Sequence, residues 1–155
     1  MDERAEHFIN KGVAFTRLGR HEEALASFNK ALVINPDDTN AWNGRGIALS
    51  ILGRHADSRT SFYKAIAINP NDANVWSNRG WTLANLGRYS PAISSYDKAL
   101  AINPKNAHAW SNRGVALRNL GRYTEAVDSF DKAIAIDPNL AEAKQHREIA
   151  LNKKR

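Results

Sequence analysis

The chain has 155 residues, of which 43% are hydrophobic and 25% charged, the balance of an ordinary globular protein with a buried core. It has no cysteine, which excludes disulfides, thiol catalysis and zinc–thiolate sites. No apolar run is long enough to cross a membrane, and the acidic, polar start "MDERAEHF" is unlike a signal peptide. We therefore expect a cytoplasmic protein without a membrane partner.

The net charge of +6 raises the question of nucleic-acid binding. Much of the excess lies in the final segment "KQHREIALNKKR", where basic residues suit the C-terminal end of a helix. The remaining chain is close to neutral, and acidic residues recur beside its basic ones. The pattern favours solvated, locally neutralised faces, and we do not expect a nucleic-acid partner.

From residue 5 onward, one pattern returns every 34 residues, over 5–38, 39–72, 73–106 and 107–140. We number the places within each repeat from its first residue. An aromatic residue stands at place 4, Gly at place 8, an aromatic residue at place 24, Ala at place 27 and Pro at place 32. In the first repeat these are Phe8, Gly12, Phe28, Ala31 and Pro36. Such fixed periods are the signature of stacked structural repeats.

Each repeat is predicted to form two helices, because places 4, 8, 11 and places 20, 24, 27 both follow the i, i+4, i+7 spacing of one helix face. A Leu-Gly pair separates the two helices, and the proline ends the second. Residues 141–155 begin a fifth first helix, in which Lys144 and Glu148 replace the aromatic residue and the glycine. A polar outer face is what a terminal capping helix needs.

Several residues depart from this pattern. Ser58 and Arg59 stand where small and apolar residues are expected, which predicts weaker packing in the second repeat. Ser90 followed by Pro91 predicts a helix N-cap and first helical position. Gly44 and Trp81 fall outside the repeated positions, so we interpret neither as required by helix packing.

The aromatic, glycine, alanine and proline positions resemble the tetratricopeptide repeat family over residues 5–140. The resemblance implies an all-α, right-handed superhelical solenoid of antiparallel helix pairs with a concave groove. It predicts a single domain over 1–155, made of repeats 5–38, 39–72, 73–106 and 107–140 and a capping helix over 141–155. It also implies a non-catalytic module that binds a protein partner or an extended peptide in the groove.

The sequence offers no candidate catalytic residue, metal ligand or cofactor site. His21 and His55 share place 17, but stacked helices lie roughly 8–10 Å apart, too far for both rings to reach one metal ion. The sequence shows no set of a nucleophile, a base and a residue that orients the base. It also predicts no strand followed by a glycine-rich phosphate loop. We therefore expect no enzyme.

The candidate binding residues follow from the helical wheel of each first helix. At about 100° per residue, places 5, 6, 9 and 13 lie opposite the packing stripe. In tetratricopeptide repeats this side lines the groove. The candidate partner-binding residues there are Asn10, Asn43, Ile47, Asn78, Trp81, Asn112, Val115 and Asn119. We expect the amides to bind peptide backbone and Trp81 to serve as an apolar anchor.

Two alternatives stay open at this point. The same repeat surfaces could drive self-assembly into a homo-oligomeric scaffold. Some tetratricopeptide repeats clamp the carboxylate tails of chaperones with basic and Asn side chains at set places. Here those places hold Ile9, Val13, Gly44, Asn74 and Asn78, or, one repeat later, Asn43, Ile47, Asn78, His108 and Asn112. Lys and Arg are missing in both registers, so we expect no such clamp.

Overall fold

The computed structural model describes residues 2–155; Met1, with which the predicted domain begins, lies outside them. Over this range the chain forms nine α-helices and no strand, which confirms the predicted all-α class. The helices are α1 (Glu3–Arg17), α2 (His21–Ile34), α3 (Thr39–Ile51), α4 (His55–Ile68), α5 (Ala73–Asn85), α6 (Tyr89–Ile102), α7 (Ala107–Asn119), α8 (Tyr123–Ile136) and α9 (Ala141–Lys154). The first eight match the helix pairs of the four repeats, and α9 matches the capping helix.

The first helix of each pair is followed, two residues after its end, by a glycine with a left-handed backbone. Gly19 has φ of 73° and Gly121 has φ of 77°. After α1, the Arg20 N–H donates to the Phe15 carbonyl and the Gly19 N–H donates to the Thr16 carbonyl. These two hydrogen bonds form a Schellman motif, which satisfies carbonyls that the helix end would leave unpaired. The Leu-Gly pair therefore ends the helix for a conformational reason.

Helix α6 begins two residues earlier than its capping pattern predicts. Helix α6 begins at Tyr89, and its N-cap is Arg88, which makes no side-chain capping bond. The prediction that Ser90 is the N-cap is therefore wrong. Pro91 falls in the first helical turn, where its missing N–H would have had no partner within the helix.

The chain forms two compact units, one ending at Val75 and the other beginning at Trp76, within α5. In each unit the core is built around the aromatic residues of place 24. Phe28 and Phe62 are buried in the first unit, and Tyr96 and Phe130 in the second. Gly12 explains why place 8 is glycine: a Cβ there would lie 2.7 Å from the Phe28 ring.

Helix α4 buries less apolar surface than the other second helices. It buries only four residues, two of them serines, whereas α2 and α6 each bury six. Ser58 is fully buried, and its hydroxyl donates to the Gly46 carbonyl at 2.7 Å, while Arg59 is exposed. The polar replacement is satisfied by a hydrogen bond, but the helix contributes a smaller core, as the sequence predicts.

The recurring arginine at place 7 connects three helices. The Arg45 Nη1 donates to the Ser61 hydroxyl at 2.6 Å, and its Nε donates to Asn29 Oδ1 at 2.9 Å. Arg113 repeats the arrangement with the Ser129 hydroxyl at 2.6 Å and Asp97 at 2.7 Å. Each of these arginines therefore ties its own helix to the second helix of its repeat and to that of the preceding repeat.

Candidate functional site

In the first unit, the faces of α1 and α3 that lie opposite their packing stripes enclose an open cleft of about 490 Å³, which we name the α1–α3 cleft. Helix α1 contributes Ile9, Asn10, Val13, Thr16 and Arg17; helix α3 contributes Asn40, Asn43, Gly44 and Ile47; Phe28 of α2 completes the lining. The α3 residues have the spacing i, i+3, i+4, i+7, so one helix face supplies them all. Three predicted site residues, Asn10, Asn43 and Ile47, thus line one cleft.

Gly44 shapes this cleft, and the interpretation that packing does not require it is wrong. A Cβ at residue 44 would lie only 2.4 Å from Cζ of Phe28. The Phe28 ring therefore occupies the space into which a side chain at place 6 would project. The ring lies between Gly12 and Gly44 and forms the buried floor of the cleft.

Helix α9 shows what a side chain at place 6 does. His146 occupies this place, and its ring stacks on Phe130 with centroids 5.9 Å apart and planes inclined by 25°. Phe130 stands at place 24 of the preceding repeat, as Phe28 does relative to Gly44. A side chain at place 6 can thus stack on the aromatic residue of the repeat before it, whereas at Gly44 the Phe28 ring itself fills that space and stays buried.

The α1–α3 cleft has no acidic residue in its lining. Arg17 stands at its edge, and among residues 2–155 no carboxylate forms an ion pair with it. The neighbouring arginines differ, because Arg20 pairs with Glu23 at 2.5 Å and Arg54 pairs with Glu22 at 3.0 Å. The cleft therefore combines an apolar interior, amide groups and one uncompensated positive charge.

The predicted site residues of the second unit lie in different environments. Trp81 on α5 is 37% exposed, so much of its indole is accessible. Asn78 and Asn112 are half-buried. Val115 packs against the core cluster that contains Phe130, and the Asn119 amide donates to the Val115 carbonyl at 2.9 Å. Of these five, Trp81 offers the largest accessible apolar surface.

A smaller cleft of about 380 Å³ lies beside the capping helix, lined by Arg118, Asn119, Tyr123, Ile149 and Lys153. Arg118 Nη1 lies 2.7 Å from His146 Nδ1. Because arginine stays protonated and can only donate, Nδ1 of His146 must be the acceptor. Burial and the charge of Arg118 lower the pKa of His146, and Glu142 opposes them. Burial and Arg118 therefore both favour the neutral form of His146 in the folded protein.

Neither a metal site nor a membrane span is found in the part of the chain that the structure describes. No three His, Cys, Asp or Glu side chains of residues 2–155 are grouped so that they could hold a metal ion. None of the helices there has both the length and the hydrophobicity that a bilayer crossing requires.

The helix pairs, turn glycines and aromatic cores define an all-α repeat protein of the solenoid class. Family models of the tetratricopeptide repeat match residues 5–38, 27–60 and 77–141, on both sides of the boundary between the units. The chain belongs to the tetratricopeptide repeat family. No curated protein sequence matches it.

Solved structures share the fold over almost the whole chain. PilF of Pseudomonas aeruginosa superposes with a TM-score of 0.92 at 22% identity, over 99% of this chain and 70% of its own. MamA of Desulfovibrio magneticus RS-1, from residue 41 to its end, gives 0.86 at 25% identity over 99% and 87%. YrrB, described as a tetratricopeptide repeat protein with an unusual peptide-binding site, gives 0.75 at 23% over 95% and 76%. These likenesses support the superhelical solenoid class that the sequence predicts.

Tetratricopeptide repeats stack into extended surfaces that bind other proteins. Membership of this family makes the chain a protein–protein interaction module.

Proposed function

We propose that this chain is a non-catalytic module that binds an extended peptide segment of a partner protein. The peptide lies on the faces of the first helices that are opposite their packing stripes. The observation that carries the proposal is the α1–α3 cleft, where the aliphatic side chains of Ile9, Val13 and Ile47 adjoin several amide side chains. Pockets that bind small ligands typically have a mostly apolar lining with a few polar groups that fix the orientation of the ligand.

The amides suit the backbone of an extended peptide. An Asn side chain offers one acceptor and two donors, so it can pair with a peptide N–H and a peptide C=O together. Asn10 and Asn43 supply such groups from two neighbouring helices of the first unit. In the second unit, Asn78 and Asn112 stand at the same place of their repeats, and Trp81 offers an exposed aromatic anchor.

The solved structure of YrrB supports this reading by analogy, because its description names a peptide-binding site within the same fold. The chaperone-tail clamp is not part of the proposal. In this chain the places that the clamp uses hold apolar, glycine, amide or histidine residues, and none holds Lys or Arg.

Self-assembly into a homo-oligomeric scaffold is the competing proposal, and the exposed indole of Trp81 is compatible with it. Size-exclusion chromatography with light scattering distinguishes the two. A monomer across micromolar concentrations supports the peptide-binding module. A stable oligomer that Trp81→Ala dissociates would instead assign the Trp81 surface to self-association.

The peptide-binding module is tested by affinity capture from the native cell extract, with bound proteins identified by mass spectrometry. Trp81→Ala should weaken capture of a specific partner by about 2 kcal/mol or more if the indole is a hot spot. Tyr63→Ala, which removes another exposed aromatic side chain from a second helix, is the matched control and should leave capture unchanged. Loss of stability without loss of binding in Trp81→Ala would remove Trp81 from the site.

A further inference from the structure

We infer that the capping helix α9 is an acid-releasable element, held in place by the contact between Arg118 of α7 and His146 of α9. In mildly acidic solution this contact breaks, and α9 detaches from α7 and α8 while the helices before it stay folded. The device lies at the end of the second unit and is independent of peptide binding in the α1–α3 cleft.

The contact between α7 and α9 requires an unprotonated imidazole. Arg118 Nη1 lies 2.7 Å from His146 Nδ1, and a guanidinium can only donate, so Nδ1 must offer its lone pair. Protonation of the ring would place a second N–H donor at this position and bring two positive charges together. Repulsion between the two side chains would then replace the hydrogen bond.

Helix α8 keeps the imidazole away from water. The ring of His146 stacks on Phe130, a fully buried side chain of α8. The neighbouring Asp131 already pairs with Arg147 of α9, and no acidic group of α8 shifts the pKa of His146. Burial is the largest of the effects that lower this pKa, because it disfavours the charged form of the ring.

Helices α7 and α9 supply the charges that act on His146. Arg118 of α7 disfavours a charged ring, whereas Glu142, one turn earlier on α9, favours it. Glu142 is exposed, so water and salt screen its charge. The adjoining cleft adds Tyr123 and Lys153 and has no acidic residue in its lining. Burial and Arg118 together outweigh Glu142, and the pKa of His146 is lowered while α9 is docked.

Helix α9 is weakly anchored, so a small change in this contact can release it. It buries only two residues, Ala143 and Ala150, whereas α2 buries six. Its N-cap, Leu140, makes no side-chain capping bond. A helix of 14 residues is marginal in water once it loses its tertiary contacts. Terminal elements of this kind open locally at a lower free energy than the core does.

Proton linkage gives the direction of the pH effect. His146 has an ordinary pKa of about 6.5 when α9 is detached and a lower pKa when α9 is docked. The detached form therefore binds more protons, and a fall in pH below about 6.5 favours it. The effect levels off below the pKa of the docked form. A single proton changes this equilibrium by at most about tenfold between pH 7.5 and pH 5.5.

The test is the reactivity of one buried thiol of the full chain with dithiodipyridine. The chain has no cysteine, so Ala150→Cys supplies a single reporter on the buried face of α9. Its thiolate attacks the disulfide of the reagent, a mixed disulfide with the protein forms, and thiopyridone leaves. Each rate is divided by the rate of the same variant unfolded in urea at the same pH, which removes the pH dependence of the thiol itself.

We expect the normalised rate of Ala150→Cys to rise about three- to tenfold from pH 7.5 to pH 5.5. The matched control is Ala48→Cys, at the same place of α3 and equally buried, whose normalised rate should change less than about twofold. Hydrogen exchange of the wild-type chain checks the result without a substitution. After correction for intrinsic exchange rates, the amides of 141–154 should lose protection at pH 5.5, and those of α3 should keep it.

Three further substitutions, each added to Ala150→Cys, locate the titrating group. His146→Asn should remove the rise in rate at pH 5.5, because an amide does not titrate in this range. Arg118→Gln should reduce the rise, because it removes the positive charge while keeping a donor for Nδ1. His108→Asn, which removes an exposed histidine of α7, is the control and should leave the rise intact.

Three results would overturn the inference. These are an equal pH response of the two thiols, a rise in rate that survives His146→Asn, or unchanged protection of 141–154 in the wild-type chain at pH 5.5. Where Ala150→Cys already loosens α9 at pH 7.5 and reacts as fast as the unfolded chain, the exchange of the wild-type chain decides alone. None of these results bears on the peptide-binding module.

Discussion

Phe28 contacts two glycines that differ in how far the sequence explains them. Gly12 belongs to the repeated pattern, and the close approach of the ring accounts for it. Gly44 stands at a place where other repeats carry a side chain, so the sequence alone marks it only as unusual. The contact that requires it joins residues of different repeats. A pattern within one repeat therefore cannot reveal it.

Gly44→Ala should destabilise the fold by about 1–3 kcal/mol, because the added methyl group would overlap the Phe28 ring at a distance of 2.4 Å. Chemical denaturation followed by circular dichroism measures the change. Asn112→Ala, at the same place of the fourth repeat, removes atoms instead of adding them and serves as the control. A Gly44→Ala variant as stable as wild type would show that Phe28 can move aside without cost.

His146 predicts a pH dependence of stability. Its pKa is lowered in the folded protein, first by burial and then by the charge of Arg118. The unfolded chain then binds more protons than the folded chain as the pH falls below about 6.5, so stability decreases there. We expect the melting temperature to fall between pH 7.5 and pH 5.5, and to fall less in His146→Asn. Parallel profiles in the two proteins would contradict this assignment.

At the scale of the element, the turn glycines isolate a conformational effect. Gly121 has φ of 77°, and a Cβ there would meet no atom within 4 Å. The cost of Gly121→Ala should therefore be purely a backbone cost, about 1–2 kcal/mol. Urea unfolding measures it, with Gly121→Asn as the control, because Asn tolerates the left-handed region better. Equal stability of wild type and Gly121→Ala would mean that this turn can adopt another backbone conformation.

The helices were predictable from sequence because each one packs through a repeated stripe, such as Phe8, Gly12 and Phe15 of α1. The starts of the second helices were less predictable. Arg88 at the α6 N-cap makes no side-chain capping bond, so no capping residue marks the boundary. Helical periodicity could place Asn10 of α1, and Asn43 and Ile47 of α3, on the face of each helix that is opposite its packing stripe. The cleft between them could not be predicted, because it depends on the position of Phe28, a residue of the opposite helix.

At the scale of the whole molecule, the charge of +6 invites a test for polyanion binding. Arg45 and Arg113 each donate to side chains of two second helices, and Arg113 pairs with a carboxylate. We therefore expect no retention on a heparin column, a sulfated polyanion, at about 150 mM salt, where weak electrostatic binding is already screened. Tight retention that falls steeply with salt would instead support a nucleic-acid partner.

The pairing of place 6 with the aromatic residue of the preceding repeat has an evolutionary consequence. Asn112 corresponds to Gly44, and Tyr96 corresponds to Phe28. A substitution of one amide by glycine would remove the side chain beside one buried ring and leave the repeated framework unchanged. Duplication of this repeat thus supplies several copies of one position, each of which can vary independently. Selection at a single codon can then alter the surface of one repeat without altering the others.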